Sequence, residues 1–524
     1  RGGMCGALVG QLASQRHAAA ALRVLATLAA AAQGAGLWRR ASDSVLAADG
    51  VEPLAEMLAS QDDEVAADAA SALASLCFRS PAVQERAAKK GSVRLAVRLL
   101  GRKQQRTVSS AAAALWHLQV GCPKNITSAM TEGAATALLG LLHGADIGDT
   151  LQVRVIGALM PLATLSGAQD ELGRAGAVST LCKLLSHDRP PEVRWQAAGT
   201  LMNLLSGHDG NCEEAVKQDI VGQLVGLIKE GEGVACEYAA GALANLIARG
   251  DCTIGPAAVA AGAFEALNGM LSGPESVVEV FATLANLARY LPEDRSRLLE
   301  SGVLERLVAS ISDEESPARC QALALCMNLA PHVPTKVRLL KAGVVKPLVA
   351  LLESGDEELR ERAAGALANL MDGRAETTAN VFMEAPDLAR RLVCALETEY
   401  CARVQRQMAR ALALLASRRA EPVSKAGGAA PLASALEDLE GGGAWEPALG
   451  LMNLAPSGKE REELLGRGAV PRLARLLADP EARGYAAGAL ANLTAGCARA
   501  AGAALAAGAL DPLLELLLRG AEAA

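Results

Sequence analysis

The octapeptide AAGALANL stands three times in this 524-residue chain, at residues 239–246, 363–370 and 486–493. Its asparagines, Asn245, Asn369 and Asn492, are 124 and 123 residues apart, about three times 41. A chain that returns to one segment at such a period builds an array, in which each unit buries its apolar face against its neighbours. Length therefore does not divide this chain into several unrelated domains, as it otherwise would at 524 residues.

Alignment on Leu-x-Asn-Leu fills the intervals. The asparagine column reads Asn203, Asn245, Asn286, Asn328, Asn369, Asn453 and Asn492, and weaker copies put Thr27, Ser75, His117, Pro161 and Leu414 in the same place. Twelve copies follow one another at steps of 39 to 48 residues. After most column positions comes a short glycine bend (KKGSV, RAGAV, AAGAF, ESGVL, KAGVV, GRGAV, AAGAL) leading into an apolar segment such as VKPLVALLES. Glycine suits that bend because it takes positive φ without steric cost. Acidic clusters beginning at Asp62, Asp313 and Asp356 then precede the column segment, where the positive end of a helix dipole favours them. Aromatics are only 2% of a 51% hydrophobic composition, so the core is built from Ala, Leu and Val, and this mixture favours helices. Each unit reads as a short helix, a bend, a second helix, a loop and a long third helix.

Three helices per 40-odd residues, ending in Leu-x-Asn-Leu, resemble the armadillo repeat over nearly the whole chain. HEAT repeats have a similar period but two helices, and they lack that ending. The resemblance implies an all-α, right-handed superhelical solenoid of about twelve three-helix repeats with a concave groove. The expected organisation is one array over 1–524, with repeats at 1–44, 45–91, 92–133, 134–176, 177–219, 220–262, 263–302, 303–343, 344–386, 387–428, 429–468 and 469–508, and a capping helix at 509–524.

The asparagine needs its own explanation, because Asn costs several tenths of a kcal/mol relative to Ala inside a helix. On a helical wheel of the unit that carries Asn369, Leu359, Ala363, Ala366, Leu367 and Leu370 form one apolar stripe. Asn369 lies outside it, beside Gly365 and Arg362. Either the amide satisfies a backbone group within the fold, or it is presented to the backbone of an extended peptide; the residues alone leave both open. In the importin-α family the corresponding asparagine lines the groove and grips a bound main chain. The resemblance thus implies peptide contacts at Asn203, Asn245, Asn286, Asn328, Asn369, Asn453 and Asn492, with the longest unbroken run from Asn203 to Asn369. Four residues earlier, where importin-α carries tryptophan, this chain has Gly199, Gly241, Ala282, Ala324, Gly365, Leu449 and Gly488. Recognition of a nuclear localisation signal is therefore not expected. The Gly/Ala-rich helices look more like the vacuolar protein 8 group and the armadillo proteins of plants and algae.

Seven residues before the column stands a mixed set that could tune specificity, including Gln196, Tyr238, Gln321, Arg362 and Tyr485. Pro161, in the column itself, predicts a kinked helix and an irregular repeat. Leu414 predicts a break in the ladder between Asn369 and Asn453. The arginines at Arg194, Arg319, Arg360 and Arg483 sit nine residues before an asparagine, half a turn from the ladder, which predicts a solvent environment.

The remaining chemistry is sparse. A net charge of −7 carries no basic footprint for nucleic acid. The twelve cysteines and six histidines are scattered singly, so no metal-ligand spacing arises, and no cofactor is expected. Small buried thiols are expected at Cys182, Cys236, Cys326 and Cys394, in a reducing compartment, cytosol or nucleus. No apolar run reaches membrane-spanning length without glycine or charge, and no Walker, serine-elbow or zinc-protease motif is present. The expected function is a non-enzymatic scaffold whose partners are other proteins, bound through extended segments. Two alternatives share the same array: the substrate-recognition part of a larger ubiquitin ligase, and a membrane-tethered organiser of the vacuolar protein 8 kind.

Overall fold

The computed structural model describes Val9 and residues 18–522, except 35, 145–146, 231–232, 272–276, 300–301, 374, 440–442 and 455–457. Every regular element among the described residues is helical. The chain forms two compact units, residues 1–270 and 271–524. We number only the third helix of each repeat. Unit 1 holds α1 (Ala18–Gly34), α2 (Asp63–Cys77), α3 (Gln105–Gln119), α4 (Asp149–Leu162), α5 (Pro191–Leu205) and α6 (Val234–Ala248). Unit 2 holds α7 (Val278–Tyr290), α8 (Arg319–Leu329), α9 (Glu357–Met371), α10 (Ala402–Arg418), α11 (Trp445–Leu454) and α12 (Arg483–Thr494). All twelve column residues lie in these helices, within the C-terminal half of each.

The local signals act as their chemistry requires. Asp62 caps α2 by accepting from the Glu64 and Val65 amides, and Asp356 caps α9 through Glu358 and Leu359. Asp313 does not begin a helix: its carboxylate accepts from the Glu315 amide in a turn, and α8 starts only at Arg319. The seven bend glycines, from Gly91 to Gly508, have φ between +70° and +86°, where a side chain would be strained. In α9 the residues Ala363, Ala366, Leu367 and Leu370 are fully buried, and Leu359, at the edge of the stripe, is half-buried.

Several expectations need correction. Pro161 stands inside α4, one residue before its end at Leu162. It lacks the N–H that any other residue there would give to the Gly157 carbonyl, so the last turn of α4 forgoes one helical bond. After α7 the short first helix is replaced by two 3₁₀ turns, Pro292–Asp294 and Arg297–Leu299. Cys182, Cys236 and Cys326 are buried, and burial pushes the Cys182 and Cys326 thiols up to about 12. Cys394, however, is exposed. The helix Leu510–Glu522 leaves Leu510, Leu514, Leu517 and Leu518 open to solvent. No single described helix is long and apolar enough to cross a membrane.

Candidate functional site

The ladder asparagines share one internal bond. In six of the seven, the side-chain nitrogen donates to the carbonyl one residue before the column of the preceding repeat. In unit 1, Asn203 donates to Met160 at 3.0 Å and Asn245 to Met202 at 2.8 Å. In unit 2, Asn328 reaches Ala285 at 2.8 Å, Asn369 reaches Met327 at 2.9 Å, Asn453 reaches Ala413 at 3.5 Å and Asn492 reaches Met452 at 2.6 Å. A carbonyl only accepts, so the contact also decides which way each amide faces. Met160, Met202, Met327 and Met452 lie in the last turns of α4, α5, α8 and α11, whose carbonyls have no partner within the helix. The asparagine therefore closes a helix end and couples two repeats at once. Asn203, Asn245, Asn286, Asn328, Asn369, Asn453 and Asn492 are all half-buried, so part of each remains at the surface.

The same residue before the column occupies the space above the glycine of the next repeat. A Cβ at Gly365 would lie 2.9 Å from the Met327 sulfur, and one at Gly488 would lie 2.6 Å from that of Met452. At Gly157 it would strike the Trp116 ring at 2.7 Å, and at Gly199 both Met160 and Tyr238, at 2.8 and 2.7 Å. These glycines do not open slots along the ladder. They receive a methionine or aromatic side chain from a neighbouring repeat.

The set seven residues before the column also points between repeats. Tyr238 stacks on Trp195 with ring centroids 6.0 Å apart, and Tyr485 lies tilted against Trp445 at 5.8 Å. Arg362 donates to the Cys320 carbonyl at 2.7 Å and pairs with Glu358. Gln321 is half-buried, whereas Gln196 is 0% exposed, with neither amide atom hydrogen-bonded. In the same set, Asp68 is buried between Arg23 and Arg106, and Glu446 is buried with its carboxylate 3.0 Å from Arg406. Burial raises the Glu446 pKa despite that arginine. His117, in the ladder column, stacks on Trp116 and meets the edge of Phe78. Burial, with the charge of Arg154 behind it, holds its pKa down to about 4.

Where Leu414 replaces asparagine, α10 supplies Arg410 instead. Its guanidinium donates to Asn369 Oδ1 at 2.9 Å and to Asp372 at 3.1 Å, so both halves of the Asn369 amide are engaged within the fold.

A second ladder was not legible from the sequence. Gln84, on the helix Pro81–Lys89, donates to the His117 and Val120 carbonyls at the end of α3. Gln169 does the same at Asn203 and Ser206, Lys336 at Asp372 and Arg461 at Ala495. These donors stand eight or nine residues after one column position and close the helix end of the next repeat. Their chemistry varies, which hides the pattern; their constant offset could have found it.

Residues 332–372, which carry Asn369, match the Armadillo/beta-catenin-like repeat family model. A rice (Oryza sativa subsp. japonica) U-box domain-containing protein 24 is 30% identical over 218 residues, covering 40% of this chain and 26% of the rice protein. The chain thus matches about a quarter of that relative. A solved chain from work on a phosphorylation switch controlling the cadherin and beta-catenin interaction aligns over 94% of this chain and 99% of its own length. Its TM-score is 0.57 at 16% identity, a likeness of fold. An engineered protein aligns over 84% of this chain and 98% of its own, at 27% identity and a TM-score of 0.49. Residues 332–372 thus form a repeat of the armadillo kind, and the column keeps the same register through the other repeats.

Proposed function

We propose that the chain is a non-enzymatic protein-interaction scaffold that binds extended segments of partner proteins along its asparagine ladder. The observation that carries this reading is the uniform setting of the amides. Six of the seven use one N–H on the preceding repeat, as at Asn245 on Met202, and all seven stay half-buried. A primary amide has a second N–H and an acceptor oxygen, the pair of functions that an extended main chain complements. The internal bond holds the side chain in one rotamer before a ligand arrives, which lowers the ordering cost of binding. The contact set comprises Asn203 and Asn245 in unit 1, and Asn286, Asn328, Asn453 and Asn492 in unit 2. Tyr238, Gln321, Arg362 and Tyr485 flank it. Gln196 is left out because it is buried, and Asn369 contributes less because Arg410 takes its oxygen.

The test is a partner captured from the native cell and then measured against the purified chain with Asn245 and Asn328 both changed to Ala. Binding should weaken by about tenfold or more while the variant remains folded. Unchanged affinity in a folded variant sinks the reading.

A second reading is favoured by the match to the rice U-box protein: the array serves as the substrate-recognition part of a ubiquitin ligase. It predicts that the full-length product of the gene transfers ubiquitin to the captured partner. A full-length product inactive toward that partner argues against it.

A further inference from the structure

Two of the arginines nine residues before the column reach a carboxylate of the next repeat. Arg194 is 8% exposed and donates to Glu230 of the next repeat at 3.5 Å. Arg360 makes the same connection more tightly, with Nε and Nη2 on the Glu399 carboxylate at 2.7 and 3.2 Å. Its Nη1 reaches the Ser354 carbonyl at 2.9 Å. Glu230, Glu399 and Asp438 are equivalent, each standing fifteen residues before its own column position (Asn245, Leu414 and Asn453). At α10 the arginine's place is taken by Gln405.

Gln405 copies part of the arginine's bonding. Its Nε2 donates to the Glu399 carbonyl at 2.8 Å, the equivalent of Arg360 on Ser354, and to Asp438 at 3.1 Å. It brings no positive charge to Asp438, and its buried Oε1, on a side chain only 5% exposed, has no hydrogen-bond partner. A cleft of about 490 Å³ opens beside it. Its walls include Glu397, Asp438 and Ser434, with Tyr400 at the edge, 94% exposed, and Arg467 held by Glu463 and Ser434. The helices Leu388–Thr398 and Ala429–Asp438 both end here, adding the negative ends of two dipoles. Gln405 lies half a turn from the ladder column on α10, so this cleft is separate from the proposed peptide surface.

We propose that the Gln405–Asp438 cleft binds an arginine side chain of a partner protein. The incoming guanidinium replaces the one that Arg360 and Arg194 supply from within the chain. Its planar donors match the exposed Asp438 carboxylate, to which Gln405 brings no charge, and the Tyr400 ring offers a face for the cation.

The test uses the full chain labelled with 3-fluorotyrosine, in which the Tyr400 fluorine resonance is assigned by Tyr400→Phe. Acetyl-Gly-Arg-Gly-amide should move that resonance saturably, whereas the lysine and glutamate versions of the peptide should not. Asp438→Asn should weaken the arginine peptide by about tenfold. Gln405→Arg should fill the cleft from within and abolish the response, with no loss of thermal stability. The proposal is overturned if millimolar arginine peptide leaves the resonance in place, or if the lysine or glutamate peptide moves it equally. Undiminished binding in a folded Gln405→Arg variant overturns it as well.

Discussion

The Asn245 side-chain nitrogen lies 2.8 Å from the Met202 carbonyl oxygen, across 43 residues of sequence, at the end of the preceding third helix. One contact of this kind settles what propensity left unexplained. Asparagine is tolerated inside these helices because its amide completes the end of another. Aspartate there would set an acceptor against an acceptor, and glutamine would be one methylene too long for the same approach.

Asn245→Ala removes that bond and leaves a helix-end carbonyl without its partner. Chemical denaturation should show a loss of about 1 to 2 kcal/mol, and Asn245→Asp should cost more. A loss confined to ligand affinity, with parental stability, would separate the residue from the fold.

Two helical glycines should respond oppositely to alanine. Gly199→Ala drives a methyl group into Tyr238 and Met160 and should destabilise by about 1 to 3 kcal/mol. Gly222, on the exposed side of the helix Ile220–Glu230, has nothing within 4 Å of its would-be Cβ. Gly222→Ala should gain about 0.5 to 1 kcal/mol. Melting temperatures of the two variants, measured side by side, check the sign of each.

Gln84 closes the end of α3 from a different repeat, with three acceptors around its amide nitrogen, at Cys77, His117 and Val120. Gln84→Met keeps the length and removes the donor, so urea unfolding should report a loss of about 1 to 3 kcal/mol. A neutral effect would mean that the second ladder is incidental to repeat stacking.

The pH dependence of unit 1 should carry the signature of His117. Its folded pKa of about 4 lies below the ordinary 6.5, so between those values the unfolded chain binds the proton better. Its contribution is present above pH 6.5 and falls as pH drops toward 4, by up to about 2 to 3 kcal/mol. His117→Phe should flatten this part of the stability profile, as read from thermal midpoints at successive pH values. Parallel profiles for parent and variant would exclude the residue as its source.

The period, the helical class and the placement of the third helices were all present in the sequence, because they depend on local patterns. Apolar spacing sets each helix face, Asp62 and Asp356 announce helix starts, and glycines mark bends that need positive φ. What each column residue touches was decided only by stacking one repeat on another. Asn369 and Gln196 are similar amides on the same side of their helices, yet one joins Met327 and Arg410 while the other is sealed without a partner. Nothing in the sequence around Gly365 names its neighbour; stacking brings the Met327 sulfur of the preceding repeat against it. The arginines nine residues before the column looked solvated until Arg360 met a carboxylate 39 residues further on. A side chain's direction follows from its own helix, but its partner belongs to another, and only the tertiary structure sets the distance between them.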